Sequence, residues 1–139
     1  MELRFFVPME KPPTTTYQNK GVAYSRKKKR AYMYEREETA EARADLEAVM
    51  AGHVPAAPLQ GPVYLGVVWC FPDPDHKHRD GEWRTSRPDT DNLEKMLKDV
   101  MTKLGYWKDD AQVAWEDIQK RWTWQIPGIA FLIRELEGE

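Results

Sequence analysis

Asp89, Asp91 and Lys95 bring two carboxylates and an amine into seven consecutive positions, and the pair Asp109-Asp110 follows just past a glycine at Gly105. Carboxylate oxygens are the ligands that a hard ion such as Mg²⁺ takes, and that ion keeps waters in its shell for substrate and nucleophile. The matching chemistry is metal-assisted hydrolysis of a phosphate ester, with Lys95 holding the attacking water or offsetting charge as the transition state develops. Asp89 and Asp91 are two residues apart, so in extended or turn backbone both side chains can reach one cation. A third carboxylate from Asp110, at the start of a strand that returns along the sheet, could complete the shell, and Mn²⁺ is a possible substitute for Mg²⁺.

Each of these residues also has an ordinary structural use. An aspartate before a helix caps it, Asp91 with Glu94 has the form of a capping box, and Asp91 with Lys95 is an i,i+4 pair. Asp109-Asp110 could be no more than a solvated turn. An Asp-x-Asp alone does not separate these uses from metal binding.

The elements that must position the cluster can be read from periodicity. Leu93, Met96, Leu97, Val100, Met101 and Leu104 recur at i, i+3, i+4, i+7, i+8 and i+11, which predicts a helix stopped by Gly105. Asp89 or Asp91 is its natural cap, with Asp91, Lys95 and Asp99 rising along one polar edge opposite the apolar stripe. Upstream, Glu2 to Val7 reads as a strand stopped by Pro8, and a helix from Glu35 shows one stripe of Thr39, Ala42, Leu46, Val49 and Met50 before Gly52. Val63 to Phe71 alternates Val63, Leu65, Val67, Trp69 and Phe71 with Tyr64, Val68 and Cys70, as in a strand covered on both sides. Pro72 to Pro88 is polar and turn-rich and reads as a mobile loop leading into the site. Gln112 to Trp124 and Ile129 to Leu136 follow as strands, expected to form an antiparallel hairpin through Pro127-Gly128. The fold class is therefore α+β: one domain over residues 1–139, order β-α-β-α-β-β, with two main helices on a mixed sheet.

Composition agrees with one globular domain, at 139 residues, 41% hydrophobic and 32% charged. Gly52 to Pro72 lacks Asp, Glu, Lys and Arg, but Pro55, Pro58 and Pro62 exclude a single membrane-spanning helix there. Arg4, Glu10 and Lys11 interrupt any apolar leader, and the one cysteine, Cys70, excludes an intramolecular disulfide, so a cytoplasmic protein is expected. The formal net charge of -2 hides segregation: residues 1 to 30 carry eight Lys or Arg against two Glu. Five are consecutive, Arg26-Lys27-Lys28-Lys29-Arg30, in a loop or arm near 11–34, and with Lys11 and Lys20 they are the expected DNA-phosphate contacts. Tyr32 and Tyr34 beside them read as an anchor for the arm. Trp115, Trp122 and Trp124 read as core or dimer packing in preference to base stacking.

Other chemistries are poorly supported. His76 and His78 flank Lys77 in a loop without a third placed ligand, which speaks against a transition-metal site. Cys70 in an apolar strand reads as an inert core residue. No serine occupies a Gly-x-Ser-x-Gly elbow, so a nucleophilic triad has no footing, and no organic cofactor is expected.

The stretch Arg87-Pro88-Asp89-Thr90-Asp91-Asn92-Leu93-x-Lys95, then Asp99, then Gly105-Tyr106-Trp107-Lys108-Asp109-Asp110-Ala111-Gln112-Val113, resembles the RusA family of Holliday junction resolvases, found in bacteria and their phages. Val7-Pro8, Lys11-Pro12-Pro13-Thr14-Thr15-Thr16 and Trp69-Cys70-Phe71-Pro72 extend that resemblance over nearly the whole chain. It implies an endodeoxyribonuclease in which Asp89, Asp91 and Asp110 are the acidic residues required for Mg²⁺-dependent cleavage and Lys95 is the required basic residue. It also implies a homodimer that places paired nicks in opposing strands of four-way DNA, in recombination and repair. A nuclease for forks or flaps, or a junction-binding protein whose aspartates are only caps, are the alternative readings.

Overall fold

The structure, a computed structural model, describes residues 1–14, 21–25, 30–34 and 37–137, with only the backbone in 21–25 and 30–34. Its strands are β1 (Glu2–Pro8), β2 (Gly21–Ser25), β3 (Arg30–Tyr34), β4 (Val63–Pro72), β5 (Val113–Thr123) and β6 (Gly128–Glu135), and its helices are α1 (Glu37–Met50) and α2 (Thr90–Leu104). β2 and β3 pair antiparallel as a separate ribbon, so strands interrupt the segment expected to be a loop or arm, and the order gains two strands there.

β4 owes its central place to composition. It is the most apolar strand, and the sheet order β1-β6-β4-β5 gives it a partner on both edges, antiparallel β6 and parallel β5. That arrangement overturns the expected β5–β6 hairpin: the two strands are neighbours in sequence and are separated by β4 in space. Pro127-Gly128 crosses the end of β4 to enter β6 instead. A side chain at Gly128 would meet the Val7 carbonyl oxygen at 2.2 Å, so the close approach of β1 to this corner requires glycine.

Val7, Ile129 and Trp69 align across three strands, as do Phe5, Phe131 and Val67. Those rows meet Leu46 and Met50 of α1 and Leu93, Met96, Leu97, Val100 and Met101 of α2 in one buried cluster. Both helices therefore cover the same face of the sheet. The expectation that β4 is covered on both sides holds for only one of them. Tyr64, Gly66 and Val68 line an open groove of about 740 Å³ on the opposite face. Tyr64 is buried there by its neighbours, with Trp115 edge-on at 4.7 Å and the Arg134 guanidinium 4.7 Å above its ring.

Candidate metal and DNA site

α2 runs antiparallel to the parallel pair that it connects, so its start lies at the C-terminal ends of β4 and β5. Asp89 occupies the N-cap position with extended backbone (φ -73°, ψ 151°), yet its side chain accepts no capping hydrogen bond. Its carbonyl receives the Leu93 N–H, so the helix begins normally while the carboxylate stays exposed. Asp91 is also exposed, as is Lys95 one turn further on. Glu94 does not turn back to make a capping box. It is buried, and its Oε1 accepts the Trp69 indole N–H at 3.3 Å. Of the three ordinary uses, the side-chain cap and the capping box are unmade in this fold.

A second cation fixes the approach to Asp89. Lys120, from β5, donates to the carbonyls of Ser86 at 2.8 Å and Pro88 at 2.7 Å. Desolvation and nearby Arg84 lower its pKa, against the opposing pull of Asp89. Arg84 is held between the rings of Phe71 and Trp122, 4.1 and 4.6 Å from their centroids, and donates to the Arg87 carbonyl. Neither residue is marked by spacing in the sequence. The signal was weak because both lie outside the conspicuous motif and reach it only through tertiary contacts.

The Pro72 to Pro88 segment, expected to be a mobile loop, is bonded along its length. Asp73 is buried and accepts the N–H groups of His78 at 2.8 Å and Lys77 at 3.1 Å. Burial alone would raise its pKa, but these donors and the His78 ring hold it below the ordinary range. Gly81 and Arg84 donate to the carbonyls of Trp122 and Lys120, and Trp122 donates to Glu82, so this stretch adds a short strand-like edge to β5. His78 stacks on Trp122 and His76 on Trp124, so both histidines have packing roles. Trp122 is half-buried, whereas Trp115 and Trp124 are 51% and 45% exposed and do not belong to the core.

The motif's second half is equally specific. Gly105 ends α2 in left-handed conformation (φ 93°), donating to Met101 and Thr102. Tyr106 and Trp107 then turn inward, the phenol donating to the Met50 carbonyl at 2.6 Å and the indole to Thr102 Oγ1 at 2.7 Å. Asp109 caps a short 3-10 helix over Asp110–Gln112, accepting the Ala111 N–H at 2.9 Å, while Gln112 Oε1 receives Lys108 and Asp109 N–H. Asp110 takes no part in that capping box and is exposed.

One chain does not bring the three carboxylates together. Asp89 and Asp91 begin the 15-residue α2 and Asp110 follows its end, a span of about 22 Å. The strand tells the same story, because Lys120 touches Pro88 and lies seven residues along β5 from Val113, about 23 Å. Ligands of one Mg²⁺ each sit about 2.1 Å from the ion. In keeping with this, no group of three His, Cys, Asp or Glu suited to a metal occurs among the described residues. Asp99 lies between the two ends, half-buried. Of the predicted DNA contacts, Lys11 is exposed beyond β1 and Arg30 begins β3; Lys20 and Arg26 to Lys29 lie outside the described residues, as do the side chains of Tyr32 and Tyr34. No helix among the described residues is long and apolar enough to cross a membrane.

Comparison with known proteins adds independent weight. Residues 7–134 match the family model described as endodeoxyribonuclease RusA. The chain is also 36% identical over 122 residues to a protein of Lactococcus phage r1t named crossover junction endodeoxyribonuclease RusA, covering 86% of this chain and 88% of that protein.

Proposed function

The chain belongs to the RusA family of endodeoxyribonucleases, and we propose that it resolves four-way DNA junctions by Mg²⁺-dependent hydrolysis, as a homodimer that makes paired nicks in opposing strands. Asp89, at the N-cap without capping, is the observation that carries this reading: a helix-capping aspartate would spend its oxygens on backbone N–H groups. Two exposed carboxylates at one helix start are a hard-oxygen donor set that fits Mg²⁺, or Mn²⁺ in its place. When bound, such an ion polarises the phosphate and lowers the pKa of an attacking water. Lys95 offsets negative charge on the phosphate from one turn away, and Lys120 keeps Ser86 and Pro88, hence Asp89, in position.

The roughly 22 Å separation supports a further step: the third carboxylate of each site, Asp110, comes from the second copy. Two antiparallel copies of α2 related by a two-fold axis bring the end of each to the start of the other, so both sites are completed by one contact. A two-fold dimer also matches the pseudo-symmetry of a four-way junction, since each site meets a strand of the same polarity.

Replacing Asp91 with Asn tests the reading directly on a synthetic mobile junction. Removing one metal-binding carboxylate is expected to reduce cleavage by at least about a hundredfold while junction affinity stays within about threefold. Cleavage at the unaltered rate would remove Asp91 from the chemistry and return the aspartates to a structural role.

A further inference from the structure

Trp83 is the most exposed of the tryptophans among the described residues, at 56%. A single exposed tryptophan is ordinary by itself, and the arrangement around this one gives it its interest. Its ring is nonetheless not adrift. The Arg121 guanidinium lies over the ring, 3.7 Å from its centroid, while more than half of the residue remains exposed. Arg121 is itself pinned, donating to Gln119 Oε1 and to the Gly81 carbonyl, each at 2.8 Å. The backbone around Trp83 is held on the outer edge of β5 by the bonds of Gly81, Glu82 and Arg84 to Trp122 and Lys120. Cation and ring are therefore arranged before any ligand arrives, which removes most of the ordering cost of binding.

The surroundings select the ligand. Asp73 and Asp80 in the same segment are occupied with N–H groups of the protein. Lys77 and Arg87 are exposed cations, Arg79 is paired with Glu82 at 3.6 Å, and Asp75 and Asp80 are exposed carboxylates, so the segment carries both signs and the cation nearest the ring is Arg121. Six residues after Trp83 the chain reaches Asp89. A flat π face backed by a cation, six residues from the proposed phosphate-cutting site, suits a nucleobase.

We propose that Trp83, backed by Arg121, stacks on an unpaired or unstacked base at the branch point and so selects branched over linear DNA. Bases inside a duplex already stack on their neighbours, whereas a base unstacked at the branch point has a free face there. The proposal rests on the nuclease reading above and adds to it a residue that determines substrate structure.

Binding is measured for the full chain, with Ca²⁺ replacing Mg²⁺, to a four-way junction carrying 2-aminopurine at the crossover and to a linear duplex of the same sequence. Trp83→Leu, which keeps apolar bulk without a π face, is expected to lose about tenfold in junction affinity, to leave duplex affinity unchanged and to leave the 2-aminopurine brighter in the complex. Trp83→Phe is expected to stay within about threefold of the unaltered protein on both. Equal junction affinity for Trp83→Leu and the unaltered protein, or an equal loss on junction and duplex, overturns the proposal. Should Trp83→Leu fail to fold, Arg121→Gln decides, since it leaves the indole and removes the cation: about a threefold loss confined to the junction supports stacking, and no change overturns it. An unaltered protein that neither binds nor cuts the junction sinks the functional reading itself, which distinguishes that failure from a failure of Trp83.

Discussion

Asp109 and Asp110 are chemically identical neighbours with opposite assignments, and hydrogen bonding explains the difference. Asp109 caps the 3-10 helix, whereas Asp110 is exposed and outside the capping box. Asp109→Ala should cost about 1 kcal/mol of stability, measured by chemical denaturation, with cleavage largely retained. Asp110→Asn should leave stability within about 0.5 kcal/mol and reduce cleavage by at least about a hundredfold. Glu94 belongs to the same scale. Burial, with Glu116 nearby, raises its pKa from 4.5 to about 8 against the opposing effects of the Trp69 hydrogen bond and Lys98. The folded protein thus keeps a proton that the unfolded chain releases above pH 4.5, so this group makes stability fall as pH rises from there to about 8, where the loss is complete. The slope from this one group is at most about 1.4 kcal/mol per pH unit. Glu94→Gln should flatten it, read as the difference between denaturation midpoints at pH 5 and pH 8.

At the scale of elements, α2 separates the proposed metal ligands, Asp89 and Asp91 at its start and Asp110 beyond its end. Its existence and its stop at Gly105 were legible because a buried stripe repeats every 3.6 residues and a left-handed cap needs glycine. The start was legible only as a choice between Asp89 and Asp91, since either can begin a helix, and the fold decided for Asp89. The segment before it was misjudged for a physical reason: its polar residues satisfy each other and β5, and such pairings leave no periodic trace. Lys120 is the brace of that segment. Lys120→Met leaves the carbonyls of Ser86 and Pro88 without their donor, which should cost about 1–2 kcal/mol and raise the Mg²⁺ concentration needed for half-maximal cleavage. An unchanged Mg²⁺ requirement would show that the approach to Asp89 holds its shape without the lysine.

For the whole molecule, the separation of Asp89 and Asp91 from Asp110 makes subunit composition measurable. In the proposed homodimer, mixing Asp91→Asn and Asp110→Asn proteins under conditions of subunit exchange creates heterodimers. If each site draws Asp110 from the other copy, one site of the heterodimer carries both substitutions and the other carries none. Activity should reappear, to roughly a quarter of the unaltered rate at equal total protein if exchange is random and the sites act independently, as single nicks on a supercoiled cruciform plasmid in place of paired cuts. If each chain supplied its own Asp110, both sites would be damaged and the mixture would stay inactive. In such a dimer Trp83 would stand once on each copy, available to each side of the crossover.

The sequence by itself determined the chemical inventory, the family, the two helices and the apolar strands, because spacing along the chain encodes helix and strand faces locally. It marked Asp89, Asp91, Lys95 and Asp110 as one group because they are close in number. Only the tertiary structure decided how far apart they lie. A helix of 15 residues carries the chain about 22 Å, and β5 begins where α2 ends, so nearness in sequence became distance in space. The same kind of decision separated β5 from β6, since pairing depends on which strand is apolar enough to take the centre of the sheet. It also brought Lys120 to the motif and left Trp83 exposed on Arg121, contacts between residues 32 and 38 positions apart that no local pattern encodes.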